Sequence, residues 1–347
     1  MKYLLIILLL PLFTHAQSAA GAAQYTSYTV PKYGDLVNSD VLNNTQKAAI
    51  TKDTLNCDYA RSVIELSSWN GSNSQTVTFH AKGLTIQPVL NYGGAGRVPF
   101  ATSAQLNGYG DTIALVLDTY TYIKSIVIEN EAINDVQFHS GPLSDYGGML
   151  ATAYPIAHSR GVEVSESGVY GSGLDIKVYR WLVTKYNQST ADQYGAACMN
   201  TTQINAAKTP NSNPTLEETA NKIDTIVSFK AYYDFCNIHP YEVFSRTNLQ
   251  PDTVTQAAVN VVRYQKEYME AVTGKPCITN EMGQRDSEHP ELTTNMMQVV
   301  YRIGMQWVLW YNGTGLGGAF PLTNITTGEI LPMGTAFKNF VNPPIQN

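Results

Sequence analysis

The sequence carries little charge. Only 14% of its 347 residues are Asp, Glu, Lys or Arg, and the formal net charge is −6. A chain without a basic excess is poorly suited to nucleic acid or to an anionic surface. No stretch after residue 16 is long and apolar enough for a transmembrane helix. We therefore expect neither nucleic acid nor a membrane as a partner.

Cysteine is also scarce, and the motifs of common cofactor sites are missing. The four cysteines, Cys57, Cys198, Cys236 and Cys277, fit no zinc-binding spacing. They could form disulfides in an oxidising compartment or remain buried free thiols, and the sequence leaves both open. No GxGxxG follows the first strand-like segment, so a dinucleotide fold has no support. We expect no cofactor and no metal.

The N-terminus has the pattern of a secretory signal peptide. Lys2 precedes an apolar run over residues 3–13, and Thr14-His15-Ala16 offers a small-x-small cleavage site. We expect cleavage near Ala16-Gln17, which divides the chain into a signal peptide (1–16) and one catalytic domain (17–347). The protein would then be secreted or periplasmic.

Strand-like and helix-like segments alternate from about residue 56 onward. This order is typical of parallel βαβ units. An eighth strand is expected within residues 25–37, and the Asn- and Thr-rich stretch 187–222 is interpreted as a loop or a helical insertion. Eight units predict an α/β fold, a (β/α)₈ TIM barrel in one domain; an open doubly wound sheet is the alternative. The seven clearer strands are near residues 59–66, 85–92, 125–131, 161–166, 232–241, 275–281 and 305–310.

Polar residues end several of these strands, where barrel enzymes carry their chemistry. Glu131 closes one strand after Asn130, and Glu281 closes the strand three later after Asn280. Two carboxyl groups at the tips of different strands are what cleavage of a glycosidic bond requires. One donates a proton to the leaving oxygen, and the other attacks the anomeric carbon. These two residues are the candidate acid/base and nucleophile.

The order of these motifs resembles clan A of the glycoside hydrolases, whose (β/α)₈ enzymes have an Asn-Glu acid/base on strand four and a nucleophilic Glu on strand seven. The resemblance covers about residues 56–341. It implies that Asn130 binds the sugar 2-hydroxyl and that Arg61 binds the nucleophile. It also implies that His239 and Tyr241 form the strand-six His-x-Tyr, and that Trp310 is the aromatic floor under the cleaved sugar. Many clan members have proline after the acid/base, whereas Ala132 stands here.

Several neighbouring residues compete for these roles. Glu129 has the same strand parity as Glu131 and is a rival acid, although Glu131 lies nearer the strand tip. Ser165, Glu166 and Tyr170 are possible contacts at the rim. Four aromatic residues could stack on sugars, with Trp307 more deeply placed and therefore favoured as core: Trp69, Tyr92, Trp307 and Tyr311.

The sequence thus predicts a secreted, retaining glycoside hydrolase that acts on a β-linked polysaccharide or oligosaccharide. An endo-glucanase or mannanase type is favoured, and a monomer is expected. One alternative is a carbohydrate-binding barrel without catalysis. Another is a metal-dependent hydrolase that would use Asp234, His239 and Glu281, although the chain lacks an HExxH or His-x-His pair.

Overall fold

The computed structural model describes residues 31–92, 102–134, 141–241, 243–244, 254–284, 289–315 and 318–342. The predicted signal peptide, residues 1–16, lies outside these ranges. Among the described residues, none of the helices combines the length and the apolar character that crossing a bilayer would need.

Eight parallel strands form the wall of a barrel, in the order β5-β4-β3-β2-β1-β8-β7-β6. The predicted (β/α)₈ barrel is therefore confirmed, and the open doubly wound alternative is wrong. A short ninth strand pairs antiparallel with β8. The strands are β1 (Lys32–Asn38), β2 (Tyr59–Glu65), β3 (Thr85–Asn91), β4 (Ser125–Ile128), β5 (Glu163–Ser165), β6 (Cys236–Asn237), β7 (Cys277–Met282), β8 (Trp307–Gly315) and β9 (Gly318–Ala319).

Helices surround the barrel and follow the strands in the order that parallel units require. A π-helical turn, Ile50–Thr54, continues α1, and two short 3₁₀ turns occupy Leu66–Ser68 and Lys230–Tyr232. The helices are α1 (Asn44–Ala49), α2 (Ser74–Ala81), α3 (Ser103–Thr119), α4 (Leu143–His158), α5 (Gly171–Lys185), α6 (Gln188–Cys198), α7 (Thr201–Lys208), α8 (Pro214–Ser228), α9 (Gln256–Thr273), α10 (Pro290–Arg302) and α11 (Pro332–Val341).

The stretch 187–222 contains helices rather than a loop. Asn187, Asn200 and Asn213 each accept a hydrogen bond from a backbone N–H of the first turn that follows, so each caps one of α6, α7 and α8. The asparagines that give this stretch its loop-like composition are therefore the residues that start its helices.

Closure of the barrel is uneven around its circumference. β1 pairs with β8 through seven register positions. Between β5 and β6 there are only isolated parallel bridges, Ser165 to Phe235 and Val169 to Ile238, among the described residues. The crossover that joins these two strands carries four helices, α5 to α8.

The barrel interior is packed at its N-terminal end and polar at the other. Phe235, Ile278 and Trp307 form a buried cluster, against which Tyr59 packs edge-on to the Trp307 ring. Gly34 also faces this interior, and a Cβ there would lie 2.2 Å from the Tyr59 carbonyl oxygen. Because side chains alternate along a strand, Asn237 and Asn280, two positions beyond Phe235 and Ile278, also face the interior, nearer the barrel mouth.

All four cysteines are free thiols, and Cys57, Cys236 and Cys277 are buried. Cys236 and Cys277 are register partners on neighbouring strands. The interpretation of Cys236 and Cys277 as buried free thiols is therefore confirmed.

Candidate active site

Six of the seven residues singled out in the sequence meet at the C-terminal mouth of the barrel. Two of them, the candidate acid/base and nucleophile, have side chains that are only 10% and 12% exposed. The six are Arg61, Asn130, Glu131, His239, Tyr241 and Glu281.

Glu281 is held by two neighbours. The Arg61 Nη1 atom donates to Oε2 of Glu281, and the Tyr241 hydroxyl donates to Oε1 at 2.5 Å. Burial alone would raise the pKa of this carboxyl, but Arg61, the nearby His239 and the Tyr241 hydroxyl together hold the pKa below its ordinary value. Glu281 is therefore a carboxylate over the pH range in which most proteins work.

A bulge in β7 explains how Glu281 reaches the barrel interior. Thr279 pairs with Val308 and Met282 pairs with Trp310, so three steps along β7 match two along β8. The extra residue breaks strict alternation and lets both Asn280 and Glu281 point inward. Strand parity alone would have turned one of them away.

Glu131 occupies a tight turn after β4 rather than the strand itself. Its φ is 44°, and that of Glu129 is 59°, in the left-handed region that non-glycine residues rarely adopt. The backbone N–H of Glu131 donates to the Ser167 carbonyl oxygen at 2.8 Å, and the Ala132 N–H donates to Ser167 Oγ. The turn after β4 is thus fastened to the turn after β5, and strained backbone of this kind is often found at functional sites.

The same turn separates Glu129 from Glu131. Glu129 Oε1 accepts the Tyr92 backbone N–H at 2.9 Å. The charge of Glu129 also lies near the buried hydroxyls of Tyr109 and Tyr146, whose pKa values burial already raises. Glu129 therefore joins β3 to β4 behind the barrel wall, while Glu131 faces the mouth.

Glu131 pairs with His239. Oε1 of Glu131 lies 2.8 Å from His239 Nδ1, and the imidazole is fully buried. Burial would lower the pKa of His239, but the hydrogen bond to Glu131 and the charge of Glu281 raise it overall. Gly168, with φ 97°, lies against the ring, where a Cβ would be 2.2 Å from Nε2.

Arg61 connects the two halves of the site. Its Nη2 donates to Asn130 Oδ1 at 2.8 Å, while Nη1 also donates to the Asn280 carbonyl oxygen at 3.2 Å. The amide of Asn130 is thereby oriented with its oxygen on the guanidinium, which leaves its Nδ2 hydrogens as the group that could meet a ligand.

Trp310 does not line the site, so the prediction of a Trp310 floor is wrong. Its ring is 0% exposed, its Nε1–H donates to the Phe320 carbonyl oxygen at 3.0 Å, and it packs edge-on against Phe337 of α11. Trp307 faces the barrel interior, so Trp310, three residues later on β8, faces the helices. Near the barrel mouth, the β8 aromatic that faces the interior is Tyr311, whose hydroxyl accepts from Asn38 Nδ2 at 2.5 Å.

Two residues beside His239, Asn237 and Asn280, were not recognised from the sequence as parts of the site, and Glu166 was considered only as a possible rim contact. Asn237 and Asn280 contact His239, and the fully buried Glu166 accepts the backbone N–H groups of Asn237 and Gly168 at 2.6 and 2.8 Å. Burial raises the pKa of Glu166 to about 7, against those two hydrogen bonds. Asn237 lies two residues before His239 on β6, so strand parity was the signal that could have found it.

Tyr170, considered only as a rim residue, lies directly on the acid side of the site. Its ring is nearly parallel to that of His239, with centroids 6.5 Å apart, and its hydroxyl accepts from Asn134 Nδ2 at 2.9 Å. Burial raises the pKa of Tyr170 strongly, with the charge of Glu131 and a hydrogen bond to Glu131 adding to the effect.

A metal ion fits this cluster poorly. Glu131, His239 and Glu281 each offer one ligand atom, all within 4.8 Å of one another. However, the Glu131 and His239 atoms bond each other, and the two oxygens of Glu281 accept from Arg61 and Tyr241. Asp234, the third ligand of the metal-dependent alternative, instead binds His158 and the Val164 N–H.

Comparison with known proteins supports the fold. No protein-family model and no curated protein sequence matches the chain. Solved structures that match include a GH5-4 broad specificity endoglucanase from Clostridium longisporum, with TM-score 0.53, 11% identity, and coverage of 87% of this chain and 86% of that one. The resemblance to clan A barrels is thus confirmed at the level of the fold.

Two other matching structures are longer than this chain. An exo-beta-1,4-mannosidase from Opitutaceae bacterium strain TAV5 has TM-score 0.55 and 10% identity, over 90% of this chain and 59% of that one. A GH39 beta-xylosidase from Caulobacter crescentus has TM-score 0.51 and 14% identity, over 88% of this chain and 70% of that one.

Proposed function

We propose that this chain is a retaining glycoside hydrolase, with Glu281 as nucleophile and Glu131 as acid/base. One observation carries the proposal: an oxygen of Glu131 and an oxygen of Glu281 lie within 4.8 Å of each other across the barrel mouth. Retaining enzymes keep their carboxyl groups about 5–5.5 Å apart, whereas inverting enzymes need roughly 6.5–9.5 Å to admit a water.

The surroundings of the two carboxyl groups fit two different roles. Arg61 and Tyr241 hold Glu281 ionised, as attack on an anomeric carbon requires. Glu131 has no cationic side chain such as Arg or Lys among its recorded contacts, and it pairs with an imidazole with which it can share a proton. Environments that separate the protonation states of two carboxyl groups are the mark of an acid and a nucleophile.

The reaction proceeds in two displacements. A Glu281 oxygen forms a bond to the anomeric carbon as the bond to the leaving oxygen breaks, and Glu131 gives that oxygen a proton. Glu131, now a carboxylate, takes a proton from water, whose oxygen attacks the same carbon and releases Glu281. Asn130 Nδ2, oriented by Arg61, is placed to donate to a sugar hydroxyl during both steps.

The proposed substrate is a β-linked polysaccharide or oligosaccharide, with endo cleavage of a glucan or mannan favoured. The matching solved structures include an endoglucanase and a mannosidase, which supports this choice only at the level of a shared barrel. Secretion or periplasmic export is proposed from the N-terminal pattern of Lys2 and the apolar run after it.

Activity on defined β-glucans, mannans and their oligosaccharides tests the proposal, with matched glutamate variants. We expect Glu281→Gln and Glu131→Gln to lower kcat by roughly 10³-fold or more on a natural substrate. Glu129→Gln, two residues from the proposed acid, should retain most activity because the Glu129 carboxyl group accepts the Tyr92 backbone N–H on the far side of the turn.

Proton NMR of the first product formed reads the stereochemistry. A β-linked substrate should release a β-anomer first, before mutarotation. A first-formed α-anomer would exclude the retaining mechanism, and equal loss in Glu129→Gln and Glu131→Gln would overturn the assignment of the acid. No hydrolysis of any glycan would favour the non-catalytic carbohydrate-binding alternative.

A further inference from the structure

The side chains behind His239 form a chain of amides with a fixed direction. The Asn280 backbone N–H donates to Asn237 Oδ1 at 3.2 Å, and Asn237 Nδ2 donates to the Glu166 carbonyl oxygen at 3.4 Å. A backbone N–H can only donate and a carbonyl oxygen can only accept. These two contacts therefore fix which end of the Asn237 amide is oxygen and which is nitrogen, a choice that distances between heavy atoms usually leave open.

The orientation of Asn237 fixes that of Asn280. Asn237 Nδ2 lies 2.5 Å from the Asn280 side chain, which must present its oxygen, Oδ1, to that donor. The same Oδ1 atom lies 2.8 Å from His239 Nε2. Since this oxygen can only accept, His239 Nε2 must carry a hydrogen.

The opposite end of Asn280 shows what this arrangement costs. Among the described residues, its Nδ2 is buried and has no hydrogen-bond partner. A buried amide that leaves two hydrogens unsatisfied is unfavourable, because it has given up its hydrogen bonds to water without replacing them. Turning the amide over would satisfy no more donors, because Nδ2 would then face the Nδ2 of Asn237.

We propose that Asn280, oriented by Asn237, is a positioning residue that locks His239 in the tautomer with hydrogen on Nε2, so that Nδ1 and Glu131 share a single exchangeable proton. Nε2 is always protonated in this arrangement. When Nδ1 also carries a proton, the ring is a cation beside a Glu131 carboxylate. When Nδ1 carries none, Glu131 must be protonated and donate to Nδ1 in the 2.8 Å contact. Both arrangements are neutral overall.

This lock makes the pair retain its proton. If the pair lost it, a carboxylate oxygen and a ring lone pair would face each other 2.8 Å apart in a buried site. An unlocked imidazole would instead move its hydrogen to Nδ1 and satisfy the carboxylate without any charge on the ring. The pair of Glu131 and His239 therefore keeps its shared proton to higher pH than the same pair with a free imidazole would.

The charges around His239 allow for this neutral pair. The other groups that face the ring come from four parts of the barrel: Arg61 from β2, Glu166 from the turn after β5, Tyr170 from the start of α5, and Glu281 from β7. Arg61 and Glu281 bond each other and cancel in charge. The pH at which the pair of Glu131 and His239 loses its proton thus depends more on Asn280 and Glu166 than on the summed charge of Arg61 and Glu281.

Nitrogen-15 NMR of histidine-labelled protein tests the tautomer without any substrate, with the His239 signal identified by its loss in His239→Gln. We expect a protonated, pyrrole-type Nε2 at every pH and a Nδ1 that changes from protonated to pyridine-type at high pH. A wild-type ring with bare Nε2 and protonated Nδ1 would overturn the proposal. His158, which binds Asp234 far from Asn280, is the internal control.

Two substitutions of Asn280 give opposite expectations. Asn280→Leu removes the acceptor, so the hydrogen should move to Nδ1 and the basic limb of the kcat/KM profile should shift to lower pH by roughly one unit. Asn280→Asp keeps an acceptor and adds negative charge, so the hydrogen should remain on Nε2 and the limb should shift upward. His239 nitrogen shifts that stay unchanged in both variants would contradict the lock. If Asn280→Leu does not fold, the tautomer of His239 is still read from the spectra of the wild type and of Asn280→Asp.

The catalytic meaning of this lock rests on the proposed glycosidase function, but the tautomer does not. A spectrum with Nε2 protonated, together with no activity on any glycan, would remove the function and keep the tautomer. Glycan cleavage with a wild-type Nδ1–H ring would remove the lock and keep the function.

Discussion

Arg61 is the residue whose replacement tests the site most directly, because it binds three acceptors at once. Its two terminal nitrogens reach Glu281, Asn130 and the Asn280 carbonyl oxygen. It is 3% exposed, and its Nε is buried without a partner among the described residues. A lysine keeps the charge but has a single nitrogen and lacks the planar fork that spans these acceptors.

We expect Arg61→Lys to lower kcat/KM by about 10²–10³-fold, comparable to the loss of one preorganised donor in other enzymes. Because the charge and a hydrogen bond of Arg61 hold the pKa of Glu281 down, Arg61→Met, which removes both, should raise that pKa and move the acid limb of the pH profile to higher pH. Kinetics across pH on a soluble oligosaccharide would measure both effects. Arg160→Lys and Arg160→Met, at an exposed pair with Asp118, are the matched controls and should change neither. An unmoved acid limb in Arg61→Met would contradict the role given to Arg61.

At the scale of single elements, β8 shows where sequence reasoning succeeds and fails. The strand and the helices on either side of it follow from hydrophobic period and from the Gly304 that ends α10. The prediction of Trp310 rather than Tyr311 as the aromatic at the mouth rested on family resemblance, and the inward position of Trp307 excludes it. Two residues of opposite parity on one regular strand cannot both face the interior.

Other boundaries escaped prediction for local reasons. β4 ends at Ile128 because Glu129 and Glu131 adopt positive φ. β6 has only two residues, although the sequence predicted a strand over residues 232–241. The bulge that turns Glu281 inward is also a matter of pairing between strands, which periodicity within one strand does not reveal. By contrast, the order of the strands and the residues at their C-terminal ends could be predicted from the sequence, because the alternation of β and α segments fixes both.

A pair of substitutions on β8 separates core from cleft. Trp310→Phe removes the bond to the Phe320 carbonyl oxygen and part of the contact with α11, so we expect a loss of about 1–3 kcal/mol in unfolding free energy and an unchanged KM. Tyr311→Ala should raise KM for an oligosaccharide, because this half-buried ring lies near Glu281. Urea unfolding and steady-state kinetics on both variants measure the difference; a raised KM in Trp310→Phe alone would reverse the placement.

For the whole molecule, two buried carboxyl groups govern how stability depends on pH. Burial raises the pKa of Asp35 to about 7, although Thr51 and Asn312 donate to it. Glu166 behaves in the same direction. In the unfolded chain both groups ionise near pH 4, so the folded state binds more protons between about pH 4 and 7. The contribution of these two groups to stability is therefore full below that range and is lost as pH rises through it.

We expect the free energy of unfolding to be lower at pH 8 than at pH 5, and Asp35→Asn to reduce this difference, since it removes one of the two buried acids. Denaturant unfolding at both pH values measures it. Asp58→Asn, which replaces an exposed carboxyl group paired with Lys52, should leave the difference in unfolding free energy between the two pH values as in the wild type. A wild-type protein that gains stability from pH 5 to pH 8 would contradict the argument.

Because the barrel closes unevenly, its wall consists of two arcs of strands. The arcs meet at the continuous pairing of β1 with β8 and at the isolated bridges between β5 and β6. β1 to β5 form the longer arc and carry Glu131, while β6 to β8 form the shorter arc and carry Glu281. The contact between β5 and β6, with its isolated bridges and the Asn237 backbone N–H that donates to the Glu166 carboxyl group across it, lies between Glu131 and Glu281. Local opening of the barrel between β5 and β6 would lengthen the distance between Glu131 and Glu281. Amide hydrogen exchange at Val169 and His239 would therefore report on the separation that distinguishes retention from inversion in the proposed reaction.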